Sequence, residues 1–238
     1  MPTMQENIPK TPKTYSMTII KPPIPPKALA AVLERVPDFR NYHPVIRPKT
    51  QICLHHTAGS SAGSAIGWWR TRLRGKGTVS TPYVIERNGT IYQLYEPDRW
   101  GNHINASADR LSDADCKRLH GSKALNSCDE YSIGIELVSL GGMKAAKGSD
   151  VVQLATPWRG FKCYQAYTVM QIRSLSLLLP YLCDWFRIPT DVIGITATNA
   201  IDIRALLGVP GIYSHADYRP DKSDVFSQPE LLNMLYTF

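Results

Sequence analysis

From Thr50 onward, short β-rich runs alternate with stretches of helical period, and no other feature narrows the fold of this chain as much. "QICLHHT" reads as a strand, followed by small residues and a helix from about Ser64 to Arg74 with Ile66, Trp69 and Leu73 on one face. In "PYVIERNGTIYQLYE" two β-rich runs flank Asn88-Gly89, a pair suited to a tight primed turn, so a hairpin is expected. "YSIGIELVSL" is another apolar strand and "GIYSHADY" a late one. Ile172, Leu175, Leu179, Leu182 and Phe186 recur at three- and four-residue intervals, which predicts a long amphipathic helix, kinked or broken at Pro180. "QPELLNMLY" predicts a closing helix with Pro near its first turn. Strands interleaved with helices imply an α/β domain, a single mixed β-sheet flanked by helices.

Residues 1–49 have a different texture. They are rich in Pro and Lys; "IIKPPIPPK" is expected to be extended, polyproline-like chain, and "ALAAVLERV" one short helix. This segment reads as an N-terminal arm, leaving 50–238 as one domain, without internal repeats. A chain of 238 residues can bury a sizeable core. Its formal charge of +7 favours a polyanionic partner, and nucleic acid, an anionic membrane or an acidic wall polymer would satisfy that equally. No recognisable nucleic-acid motif supports the first. "LSLLLPYLCDWF" is too short to span a bilayer and carries a Pro and an Asp, so stable membrane insertion is not expected. Five cysteines without paired spacing argue against a disulfide framework. "MPTMQENIPKTPKTYS" has no apolar signal core, so synthesis in the cytoplasm without a signal peptide is expected.

Two histidines stand at strand ends: His55 closes the first strand and His215 the last, with carboxylates clustered beyond it in "SHADYRPDKSDVF". Two neutral imidazoles and one carboxylate make a catalytic zinc set that leaves a fourth position for water. No compact motif such as His-Glu-x-x-His is present, and strand-end histidines serving only as hydrogen-bonded structural residues fit the same pattern. Asp217 shares a face with His215 if both lie on a strand, whereas Asp224 needs a loop bent at Pro220 to reach back. His56 is expected to face away from His55, and His43 and His120 to be surface residues. Trp69 belongs to the apolar stripe of its helix; Trp68 falls outside it. Cys53 reads as inert core, while Glu136, within an otherwise apolar strand, is costly to bury without a purpose.

The blocks "LHHTAG", "STPYVIERNGTIYQLYEPDRWGNHI", "YSIGIELVSL" and "YSHADYRPDKSD", in that order, resemble the zinc-dependent N-acetylmuramoyl-L-alanine amidases of type 2, a superfamily that includes the peptidoglycan recognition proteins. The resemblance implies a mixed sheet with Zn2+ in an open groove. It implies that His55, His215 and Asp224 hold the metal, and that Lys222 faces the substrate carbonyl. Thr81 stands where phage lysozyme-type members carry a tyrosine, so Glu136 takes the place of the general base used by the anhydro-muropeptide branch. His103 and Trp68 are expected to line the groove as substrate contacts. The implied reaction cuts the amide between the lactyl group of N-acetylmuramic acid and L-alanine of the stem peptide. Zinc would make water acidic near neutral pH, and Glu136 would take and return the proton.

The expected partner is peptidoglycan or a muropeptide, and the protein is expected to be a monomer. A phage endolysin reaching the wall through a membrane pore is the first setting, and a cytoplasmic muropeptide-recycling amidase the second. A non-catalytic wall-binding module is the competing class.

Overall fold

In the computed structural model, which describes residues 22–72, 77–106, 126–144, 150–195 and 200–237, the strand β2 (Gln51–His56) lies between two parallel neighbours. β5 (Ser132–Leu137) pairs with it on one side and β9 (Gly211–Ser214) on the other. Both faces of such a strand are covered, which is why its apolar run is nearly continuous. Ile52 and Leu54 enter the main core with Ile133, Ile135 and Leu137. Cys53 points into a second cluster with Tyr213 and Tyr218. With β1 (Leu33–Arg35), the complete sheet has the order β1-β4-β3-β5-β2-β9, with β3 (Tyr83–Ile85) antiparallel to β4 (Ile91–Gln93) and the other pairs parallel. The mixed sheet expected from the sequence is present.

Helices cover it. α2 (Ala62–Arg72) buries Ile66 and Trp69; Leu73 and Arg74, expected to extend it, lie outside the described residues, as do His120 and the N-terminal residues to 21. The long helix α4 (Val169–Phe186) starts at Thr168, whose hydroxyl accepts from Gln171 N while the Gln171 side chain accepts from Thr168 N. This reciprocal cap satisfies two otherwise orphaned donors. Of the kink or break expected at Pro180, the break does not occur: the helix is continuous through it. Proline removes only one hydrogen bond there, and Leu175, Leu178, Leu179 and Leu182, all fully buried, anchor both halves to the core. α7 (Pro229–Thr237) packs against α4 through Leu231 and Leu235.

Further differences lie in the turns, the short elements and a second sheet. The hairpin turn has positive φ only at Gly89, and Glu86 N donates to Thr90 O while Gly89 N donates to Glu86 O. That is a turn closed by one left-handed glycine, not a two-residue primed turn. The "ALAAVLERV" segment forms only the four-residue helix α1 (Lys27–Ala30), and Leu33–Arg35 is the strand β1, paired with the edge of β4. Within residues 27–49, Leu29 is fully buried, and Phe39 packs against Trp69 and Tyr95. "GIYSHADY" stops being a strand at Ser214 and turns into a short helix α6 (His215–Tyr218). The Asp217 carboxylate accepts from both Ser214 N and Ser214 Oγ, which pins that turn.

Last, a second sheet of β6 (Gly142–Met143), β8 (Phe161–Gln165) and β7 (Val151–Trp158) was not anticipated. It carries Trp158 and Tyr164 into the main core. The remaining helices are α3 (Asn126–Tyr131) and α5 (Ile203–Leu206). No helix among the described residues is long and apolar enough to cross a membrane, and the four cysteines described are free and buried.

Candidate functional site

Parallel strands end together, and the crevice beyond their carboxyl ends is where α/β sheets place ligands. Here β2, β5 and β9 deliver His55, Glu136 and, one residue past the strand, His215 to that crevice. His55 and Glu136 are register partners, so their side chains leave the sheet on the same face. The resulting groove, about 610 Å³ in volume, is also lined by Trp68, Thr81, His103, Lys222 and Asp224.

Three of the residues singled out in the sequence meet inside it. His55 Nδ1 lies 3.0 Å from His215 Nδ1, and Asp224 Oδ2 lies 3.1 Å from His215 Nδ1 and 3.3 Å from His55 Nδ1. All three residues are buried. Asp224 reaches them because the chain after α6 folds back: Ala216 N donates to Asp224 O at 2.7 Å. Arg159, from the β7–β8 turn, clamps that segment by donating to Ala216 O at 2.9 Å and Pro220 O at 2.8 Å.

Charge in this cluster is set by burial and neighbours. Burial, aided by His215, pulls the His55 imidazole down to about 4, so it is neutral at pH 7. Burial works against ionising Asp224, yet His215 and His55 together hold its carboxyl well below the ordinary range. Two imidazoles and a carboxylate, with their donor atoms converging, are the ligand set that a divalent cation such as zinc takes. A second trio, Cys53, His55 and His103, also converges. Burial pushes the Cys53 thiol well up, however, and the thiol form is a poor metal ligand.

Glu136 stands apart from this bonded cluster. Its Oε2 is buried without a hydrogen-bond partner, and burial, reinforced by the charge of Asp224, raises its carboxyl to about 8 while Lys222 opposes the rise. Thr81, where a tyrosine base was considered, spends its hydroxyl on Tyr83 O.

The other assignments fall out as follows. Trp68 is half exposed at the groove, with the Arg72 guanidinium 4.4 Å over its ring. His56 packs its ring against Gly141, at which a Cβ would sit 2.4 Å from His56 Nε2. His43 is not a free surface residue: it stacks on Trp100 with ring centroids 3.8 Å apart and bonds Thr78. His103 lines the groove but is turned inward, with Nδ1 2.9 Å from His55 Nε2. Asp217 is engaged with Ser214 and stays out of the cluster. Sequence reasoning missed Arg159, Asp129 and Ser132; the glycine inside the apolar strand "SIGIEL" was the available signal that something approaches closely there.

The sequence profile of the N-acetylmuramoyl-L-alanine amidase family, Amidase_2, matches residues 45–225. No curated protein matches the chain. Among solved structures it is similar to a selenomethionine derivative of AmpD, at 19% identity and a TM-score of 0.47 over 86% of this chain and 94% of that one. It is similar to the Staphylococcus aureus hydrolase AmiA in complex with its ligand, at 10% identity and a TM-score of 0.49 over 85% and 80%. The endolysin amidase LysCS from Clostridium intestinale matches at 17% identity and a TM-score of 0.42 over 86% and 95%.

Proposed function

We propose, from the premise that this chain belongs to the N-acetylmuramoyl-L-alanine amidase family, that it is a zinc amidase that detaches the stem peptide of peptidoglycan from N-acetylmuramic acid. The observation that carries the zinc reading is the convergence of His55 Nδ1, His215 Nδ1 and Asp224 Oδ2 within 3.3 Å of one another at the floor of the groove. These three residues would hold the metal. When bound, zinc supplies a charge that makes water acidic near neutral pH and polarises a carbonyl.

The chain's own groups do the rest. Glu136, across the register from His55, accepts the proton of the attacking water and then protonates the departing amine of L-alanine. A cation nearby favours its carboxylate form, offsetting the burial that raises it in the metal-free protein. The Lys222 ammonium, on the groove wall, faces the charge that develops on the lactyl carbonyl oxygen. Trp68 offers an aromatic face to the sugar or the peptide at the groove's rim.

Purified protein incubated with sacculi should release free stem peptides, seen by mass spectrometry, and should carry zinc by elemental analysis. Zinc-loaded protein that binds sacculi and releases nothing would mark a binding module instead. Running isolated anhydro-muropeptides beside the sacculi distinguishes an endolysin, our first choice of setting, from a recycling enzyme. We also place the start of the folded, monomeric domain near residue 26, since Leu29 and β1 are packed into it. A chain starting at residue 50 should lose the cooperative unfolding that one starting at residue 26 keeps.

A further inference from the structure

The far sides of the two buried histidines end on groups that leave no choice of proton position. His215 Nε2 lies 2.9 Å from the carbonyl oxygen of Ile104. A carbonyl only accepts, so Nε2 carries the hydrogen and Nδ1 of a neutral ring keeps its lone pair. A longer chain starts from His55. Its Nε2 lies 2.9 Å from His103 Nδ1, His103 Nε2 lies 3.1 Å from Ser132 Oγ, and Ser132 Oγ lies 2.5 Å from the carbonyl oxygen of Cys128. That last carbonyl again only accepts, so it takes the serine hydrogen. Ser132 Oγ is then left to accept from His103 Nε2–H. His103 Nδ1 consequently has a lone pair, His55 Nε2 must donate to it, and His55 Nδ1 is bare.

We propose that His103 and Ser132 are positioning residues that lock His55 in its Nε2–H tautomer, so that two bare Nδ1 atoms and the Asp224 carboxylate face one another as three acceptors with no proton between them. Three lone-pair donors so placed are the ligand set that a divalent cation takes. The inference rests on the zinc reading of this groove and gives His103 a role other than touching substrate, because both of its ring nitrogens are already engaged.

The fold builds this chain from one strand face and one short segment. Ser132, Gly134 and Glu136 are register partners of Gln51, Cys53 and His55, so all six project to the same side. Gly134 is the gap in that row: a Cβ there would lie 2.5 Å from Thr81 Cγ2 and 3.0 Å from His103 Nδ1. The missing side chain leaves room for the Thr81 methyl and for the edge of the His103 ring that carries Nδ1. Asp129 Oδ1 accepts from the backbone N–H of His103 at 2.7 Å and of Ile104 at 2.6 Å. One carboxylate thus fixes the two-residue segment whose side chain orients His55 and whose carbonyl orients His215.

The test measures zinc affinity by chelator competition and the His55 tautomer by 15N NMR of the metal-free protein. His103→Leu should bind zinc about 10–100-fold more weakly, the usual cost of removing the partner of a ligating histidine. Ser132→Ala should lose less. His103→Gln should recover most of the affinity, because its amide oxygen can accept from His55 and its amide nitrogen donate to Ser132. The wild-type His55 spectrum should show the Nε2–H form, with the Nδ1–H form appearing in His103→Leu.

A folded His103→Leu protein with wild-type zinc affinity, or an Nδ1–H His55 in the wild type, overturns the proposal. If His103→Leu does not fold, unchanged affinity and tautomer in Ser132→Ala do the same. Wild-type protein that binds no zinc at all refutes the metal reading instead, and the tautomer of its His55 still decides whether the chain of bonds exists.

Discussion

On the histidine side of the groove every ring nitrogen of His55, His103 and His215 meets a polar atom within 3.1 Å, whereas on the adjoining strand Glu136 keeps Oε2 buried and unbonded. The two sides differ in what they have to do. Groups that hold a metal gain from being fixed before it arrives, since each is then oriented without further loss of freedom. A group that takes a proton and gives it back needs an unoccupied lone pair. Leaving one buried costs stability, and it shows as a carboxyl raised to about 8 by burial and by Asp224.

The contrast predicts opposite failures, and these are the largest effects expected. Asp224→Ala should lose zinc and activity together. Glu136→Gln should keep its zinc, lose roughly 10²–10⁴-fold in turnover, and melt at a higher temperature than the wild type, because an amide has no charge to bury beside Asp224. Zinc content, turnover and melting temperature of the two variants are sufficient. Near-normal turnover in Glu136→Gln, or its loss of zinc, would erase the distinction between the two sides.

Away from the groove the same contrast recurs on a cation. Lys49 Nζ is buried and donates to Glu130 O at 2.6 Å. Burial pulls the ammonium down to about 7, against the opposing pull of Asp98, Glu130 and Asp129. The folded protein therefore releases this proton near pH 7, while the unfolded chain holds it up to the model-peptide value of about 10.4. Between those values the unfolded state binds more protons, so stability rises with pH; below about 7 the full cost of the buried charge is present.

Lys49→Met removes this slope, which is at most about 1.4 kcal/mol per pH unit. Urea unfolding at pH 7 and pH 9.5 should show wild-type stability gaining on the variant as pH rises. Parallel pH profiles would mean that Lys49 keeps its proton in the folded state.

What could be read from the sequence follows the same division between local and remote causes. β2, β5 and β9 were legible because strands covered on both faces must be apolar throughout. β1 was not: "LER" is a mostly polar three-residue strand, and only the free edge of β4 makes it one. At Pro180 local propensity allows a break as well as a kink, and four buried leucines keep the helix continuous. In the groove, His55, His215 and Glu136 were visible as polar residues at the ends of apolar runs. Ser132, Asp129 and Arg159 were not: Ser132 meets the His103 side chain from 29 residues away, and the other two act through backbone atoms supplied by distant chain, the His103–Ile104 segment for Asp129 and residues 216–220 for Arg159. A side chain's preference is written in its own neighbourhood, but a carbonyl's position is not.

The smallest expected effect gives the sharpest comparison, because it sets two aspartates of one short segment against each other. From the sequence alone Asp217 was the simpler partner for His215, two residues away on an assumed strand. The chain instead turns at Ser214, and Asp217 Oδ2 accepts from Ser214 N at 2.6 Å and Ser214 Oγ at 2.8 Å. Its carboxyl also packs against Gly194, where even a Cβ would lie 2.3 Å from Asp217 Cγ. Asp217 therefore holds the turn that aims His215, while Asp224 meets the two imidazoles. In Asp217→Asn the amide oxygen still accepts from Ser214, but the bond loses its charge assistance. The expected cost is about 1 kcal/mol of stability, a few degrees in melting temperature, with zinc content unchanged. Zinc lost from Asp217→Asn and kept by Asp224→Ala would reverse the two assignments.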